Sequence, residues 1–217
     1  MSEPTLTDRR LSHASREYEW TTTGHPESHD YLLSPVLRLL ERHGARRVLD
    51  LGCGNGALSG ALASRQFAAT GLDYSSSGIA LARHNFPAAH FEQHDVTAPL
   101  PAAHVGAYDA VVSIEVIEHL LLPRLLVANA LRSLRPGGLL IISTPFHGYL
   151  KNLALALTNG FDSHWHPLRD FGHVKFFSRA TLEQLLSEAG LARLTAQTAG
   201  RFYPLSKSMI VSGLKAE

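Results

Sequence analysis

Cysteine is almost missing from this chain. Cys53 stands alone among 217 residues, which excludes an intrachain disulfide and fits a reducing compartment. Excess charge is missing too. Twenty Lys and Arg face nineteen Asp and Glu, for a formal net charge of +1, so nothing in the balance demands a polyanionic partner. No apolar run approaches the roughly 20 residues of a membrane span. The opening "MSEPTLTDRRLSH" is polar and lacks the apolar core of a secretory signal. No internal repeat and no low-complexity linker interrupts the sequence. A cytoplasmic globular protein is therefore expected, and the length favours one domain with a substantial core. Histidine, by contrast, is plentiful, with thirteen copies. They can be surface and capping residues, or some of them can line a site.

What is present alternates. "DYLLSPVLRLLERHG" puts Leu32, Leu33, Val36, Leu37 and Leu40 on one helical stripe, with Gly44 as its stop. Pro35 can instead mark the first turn of a shorter helix. Buried strands are expected in "RRVLDLG", "AATGLDY", "AHFEQHDV", "YDAVVSIE" and "GLLIISTP". Helices are expected in "NGALSGALASR", "SSSGIALARHNF" and "LLPRLLVANALRSLRPGG". Strands alternating with helices through short loops indicate an α/β fold, an open parallel sheet covered on both faces. "SRATLEQLLSEAG" is a helix with a capping-box start at Ser178 and a stop at Gly190. "LARLTAQTA" and "KSMIVSGL" are close enough in sequence to pair antiparallel. Residues 1–44 read as an N-terminal arm and helix, and 45–217 as a single domain in which 146–175 forms a substrate lid.

"VLDLGCGNGAL" joins the first strand to the first helix of this alternation. Gly52, Gly54 and Gly56 permit a sharp turn and close approach to a ligand at the carboxyl edge of the sheet. The pattern also satisfies the dinucleotide signature through Ala57. Asp50 separates the two readings: a carboxylate at the mouth of the turn repels a pyrophosphate and welcomes an ammonium or sulfonium charge. Asp73, ending the second strand, suits a ribose hydroxyl pair. Asp95 can accept from an adenine amino group while Val96 packs on the ring. These features fit S-adenosylmethionine. The expected cofactor-binding set is Asp50, Gly52, Cys53, Gly54, Asn55, Gly56, Asp73, Tyr74, Asp95, Val96 and Ile114.

"VVSIEVIEHLLLP" ends a core strand in Glu115, Glu118 and His119. If the chain turns helically there, these positions share a face. Two carboxylates and an imidazole make a mixed oxygen and nitrogen site for Mg²⁺ or another divalent metal. Glutamates in a first turn are also favoured by the helix dipole with no metal bound. His119 suits general-base work because its ordinary pKa lies near neutrality. Glu115 and His119 are accordingly the candidate catalytic residues.

"VLDLGCGNG", "GLDYS", "HDV", "YDAVVSIEVIEHL" and "LRPGGLLIISTP", in that order, resemble the class I S-adenosylmethionine-dependent methyltransferases. The branch most similar in look is that of the ubiquinone-pathway O-methyltransferases. The resemblance implies a Rossmann-like, seven-stranded, mostly parallel sheet with an antiparallel last strand. It also implies that Gly52, Asp73 and Ile114 contact the cofactor. Glu-x-x-Glu-His is similar to the metal-binding motif of that branch and of the small-RNA terminal 2′-O-methyltransferases. By that likeness His173 joins Glu115, Glu118 and His119 as a metal ligand.

The expected activity is methyl transfer to an oxygen of a small molecule. Phe146, His147, Tyr149, Phe161, His164, Trp165 and His166 suit an aromatic or sugar ring better than a long lipid tail. A metal-dependent RNA 2′-O-methyltransferase is the first rival, and the sequence has no obvious basic stripe for it. A nucleotide-dependent oxidoreductase is the second, opposed by Asp50. Nucleic acid is not the expected partner, and a monomer or homodimer is expected.

Overall fold

The computed structural model describes residues 20, 27–165, 168 and 172–216. The expected N-terminal arm, Trp20 excepted, lies outside the described residues, as does His166.

Helix α1 spans Glu27–His43. Pro35 lies inside it, which corrects the shorter-helix alternative. The missing amide and ring clash cost about 3 kcal/mol. Leu32, Val36, Leu37 and Leu40 are buried on one side of α1, and each such side chain contributes about 1.5–3 kcal/mol. Burial of the stripe therefore outweighs the proline. Gly44 ends the helix at φ +68.

The remaining elements follow in alternation. They are β1 (Arg47–Leu51), α2 (Ala57–Ala63), β2 (Ala68–Asp73), α3 (Ser76–Asn85), β3 (His90–Gln93) and β4 (Tyr108–Ile114). Then come α4 (Pro123–Ser133), β5 (Leu134–Pro145), α5 (Tyr149–Leu157), α6 (Phe161–Trp165), α7 (Arg179–Glu188), β6 (Leu191–Ala199) and β7 (Ser208–Lys215). Local chemistry sets the helix starts. Ser75 accepts from the Gly78 amide to cap α3, and Ser178 with Thr181 forms the capping box of α7.

The sheet has seven strands in the order β3-β2-β1-β4-β5-β7-β6. β7 runs antiparallel to both β5 and β6, and the other described pairs are parallel. Alternate residues of the central strands feed opposite cores, as period-two geometry requires. Leu49, Leu51, Val111, Leu140 and Ile142 pack with Leu126 of α4 and Leu186 of α7. Val48, Ala110, Val112 and Ile141 pack with α1 and α2. Both faces being covered explains why these strands read as unbroken apolar runs.

The order β3-β2-β1 grows one way from the centre and β4-β5 the other. A crevice opens at the carboxyl ends of β1 and β4, where the direction switches. Because β7 is reversed, it begins at this same edge: Ser208 pairs with Pro145, the last residue of β5.

Candidate active site

The glycine loop leaves β1 at this crevice. Gly52, Gly54 and Gly56 have φ of 85, 54 and 81, a region that side chains rarely tolerate. Each is also crowded. A Cβ on Gly52 would lie 2.5 Å from Val116 Cγ2, and one on Gly56 would lie 2.6 Å from Ala82 Cβ. A Cβ on Gly54 would strike the Trp20 ring. Trp20 also donates its backbone N–H to Ser77 Oγ at 3.0 Å. This tryptophan therefore lies over the loop and the start of α3. Sequence reasoning missed it; its one trace is an aromatic residue in an otherwise polar arm.

Carboxylates tie the loop down. Asp73 Oδ2 accepts from the Gly54 amide at 2.8 Å, and Oδ1 accepts from the Ser75 amide at 2.8 Å. Asp50 is nearly fully buried and accepts from Ser59 Oγ at 2.8 Å. Loss of solvation, offset in part by that bond, pushes its pKa up to about 7. Cys53 and Asn55 are buried in the loop, and burial pushes the Cys53 thiol up. Tyr74 is exposed and Val96 buried. Asp95 Oδ1 accepts from both the amide and hydroxyl of Thr97, at 2.8 and 2.7 Å, so that oxygen closes a local turn. Ile114, at the end of β4, is buried.

The polar cluster after β4 is not one α-helical face. Glu115 takes a left-handed φ of 56, and a single 3-10 turn follows at Ile117–His119. The break divides the cluster. Glu115 Oε1 accepts from Ser143 Oγ at 2.7 Å, and Oε2 accepts from Ser208 Oγ at 3.2 Å. Since Ser208 spends its proton there, Tyr31 O–H donates to Ser208 Oγ across 3.1 Å. Burial raises the Glu115 pKa to about 7, against the pull of the two serines and the Lys151 charge.

Glu118, His119 and His173 form the other half, with one ligand atom from each lying within 4.8 Å of the others. Glu115 is not in this group. Glu118 is almost wholly buried, and among the described residues neither carboxylate oxygen has a partner in good hydrogen-bond geometry, the Thr144 hydroxyl and the Glu118 backbone acting on it more weakly. Its pKa is raised well above the ordinary value by burial and then by the Glu115 charge. His119 Nδ1 lies 3.2 Å from the Gly172 carbonyl oxygen. A carbonyl only accepts, so Nδ1 carries a proton; in the neutral ring that leaves Nε2 a lone pair.

A cavity of about 200 Å³ opens beside Glu115. Its wall includes Tyr31, His147, Lys151, Trp165, His173 and Lys207. His147, Trp165 and Phe176 form an aromatic group with ring centroids 4.3–5.5 Å apart. Of the expected lid residues, His147, His164 and Trp165 line the cavity, whereas Tyr149 is 78% exposed. Tyr31, Lys151, Lys207 and the two serines were not singled out by sequence reasoning.

The sheet order and the acid-flanked glycine loop define a class I S-adenosylmethionine-dependent methyltransferase. A methyltransferase-domain family model matches residues 26–196, and the chain belongs to that family. It is 32% identical over 166 residues to the ubiquinone biosynthesis O-methyltransferase of Aromatoleum aromaticum, covering 75% of this chain and 70% of that one. The corresponding enzyme of Burkholderia pseudomallei is 29% identical over 188 residues, covering 83% and 80%. Among solved structures, a SAM-dependent methyltransferase from Archaeoglobus fulgidus superposes with a TM-score of 0.65 at 17% identity, covering 84% and 94%. Among the described residues no helix is long and apolar enough to cross a membrane.

Proposed function

We propose that this methyltransferase methylates a hydroxyl oxygen of a small ring compound, with Glu115 as the proton acceptor. The carrying observation is Glu115 itself. It is a largely buried carboxyl on the cavity wall, held by two serine hydroxyls, with a pKa of about 7. That value lies near the pH at which a general base works best. Its left-handed backbone is a strain of the kind that collects at functional sites.

Bound S-adenosylmethionine supplies an electrophilic methyl group: the acceptor oxygen forms the new C–O bond as the C–S bond breaks and its electron pair stays on sulfur. The crowded glycine loop and the acids Asp50 and Asp73 fit that cofactor. The glycines pack closely against Val116, Trp20 and Phe91, and Asp73 ties the turn to β2. Residues 146–175 act as the lid that excludes water from the acceptor.

Glu118, His119 and His173 would hold a divalent cation, and their chemistry fits one. Among the described residues neither buried Glu118 oxygen has a partner in good hydrogen-bond geometry, and His119 Nε2 lies 4.0 Å from Oε1. A cation there would lower the pKa of the acceptor hydroxyl. The names of the relatives support oxygen as the target.

The test is release of S-adenosylhomocysteine from S-adenosylmethionine with a panel of phenols, sugars and amines, with and without Mg²⁺. Turnover with phenols supports the reading. Turnover confined to amines overturns it.

A further inference from the structure

We propose that the acceptor is a small hydroxylated aromatic acid, whose anionic group is received by Lys151 and Lys207. This inference rests on the O-methylation reading above and adds the charge and size of the acceptor.

Two ammonium groups border the cavity from separate elements. Lys151 belongs to α5 and Lys207 precedes β7. Neither forms a salt bridge among the described residues. Lys151 Nζ donates to the Phe146 carbonyl at 3.2 Å, and Lys207 Nζ sits 5.3 Å from the centre of the Tyr31 ring. Among the described residues the carboxyl whose charge acts on Lys151 is Glu115, so two ammonium groups border the cavity against one carboxyl. The carboxyl facing them is Glu115, and its oxygens already accept from Ser143 and Ser208.

The surroundings add positive potential. Burial depresses the Lys151 pKa and the charge of Arg201 depresses it further, against the pull of Glu115. His147 is held down to about 4, first by burial and then by Lys151, His164 and His173. The Nδ1 atom of His147 is buried and has no hydrogen-bond partner among the described residues. A site with two ammonium groups against one carboxyl is complementary to an anion. A neutral quinol would leave these groups desolvated and unpaired, which is costly.

Size and shape narrow the class. About 200 Å³ accommodates one ring with short substituents. The ring would lie against His147 and Trp165, whose centroids are 4.8 Å apart. Its hydroxyl would then face Glu115 and its acid the two lysines.

The experiment compares three probes: protocatechuate, its neutral amide and catechol. Each is assayed for kcat/KM by S-adenosylhomocysteine release, using the full chain with Mg²⁺. Protocatechuate is expected to exceed the amide by about tenfold or more, a preference that weakens as salt is raised. Lys151→Met and Lys207→Met should each reduce the acid-to-amide ratio about tenfold. Lys207 keeps its backbone bonds to Ala199 and Phe146 in either variant, and thermal melting checks that both fold. If one variant fails to fold, the other decides, since they lie on different elements. Equal turnover of acid and amide, or unchanged ratios in a folded variant, overturns the charge inference and leaves O-methylation standing. Turnover confined to amines overturns both.

Discussion

His119 Nε2 lies 4.0 Å from Glu118 Oε1, beyond hydrogen-bond reach. His119 Nδ1 donates to the Gly172 carbonyl at 3.2 Å, and with the ring neutral the nitrogen facing Glu118 carries a lone pair. A proton or a cation between the two groups would join them. Metal-free protein titrated with Mg²⁺, Mn²⁺ and Zn²⁺ is expected to bind at least one of them by calorimetry. At 100 times Kd the ion would add about 2.7 kcal/mol, raising the melting temperature by roughly 5–10 °C at this chain length. Glu118→Gln should abolish both the heat and the shift. Unaltered binding in that variant would remove Glu118 from the ligand set.

Glu115 as the base predicts a pH profile. Activity should rise through about pH 7 as the carboxyl loses its proton. Glu115→Gln should lose this limb and about 10²–10⁴ in kcat. Ser143→Ala removes the donor to Oε1 at 2.7 Å. Because that bond favours the charged form, the ascending limb should move to higher pH. A limb that stays in place would assign the titration to another group.

Stability carries its own pH signature. Asp50 rises from 3.8 to about 7 and Glu115 from 4.5 to about 7 on folding. The unfolded chain therefore sheds these protons first as pH rises. Below about pH 4 both states are protonated and the contribution is whole; it is lost progressively up to about pH 7. The melting temperature of the ligand-free protein should fall between about pH 4 and pH 7. Asp50→Asn and Glu115→Gln should each flatten that slope, as differential scanning calorimetry across pH can measure.

Two glycines separate backbone strain from crowding. Gly56 and Gly137 have φ of 81 and 72, yet a Cβ on Gly137 meets nothing within 4 Å. Gly137→Ala should cost about 1–2 kcal/mol for the left-handed backbone alone. Gly56→Ala adds a clash with Ala82 and the Phe91 ring. Its total should reach roughly 2–5 kcal/mol, read from urea denaturation. Equal losses would mean that α3 yields to the added methyl.

The fold was legible because its signals are local. Strand and helix alternate in composition, and Ser75, Ser178, Gly44 and Gly190 punctuate them at the expected places. The reversed strand pair was also readable, being adjacent in sequence. Pro35 was the local signal that misled, because a propensity cost was set against burial that only the packed sheet supplies.

The candidate site was half legible. The glycine loop, Asp73 and the glutamates announce themselves as short motifs. The division between Glu115 and the Glu118, His119, His173 group does not. It depends on a left-handed residue and a 3-10 turn, neither of which periodicity reveals.

By itself, the sequence determined the alternation of elements, the glycine-rich turn after β1 and the acids beside it. The tertiary structure alone decided what surrounds Glu115. Tyr31, Ser143, Lys151 and Ser208 come from four distant elements, α1, β5, α5 and β7. They meet because reversed β7 starts where parallel β5 ends, at Ser208 and Pro145. Strand direction thus carries chemistry across the chain, and no spacing rule along a sequence encodes that meeting.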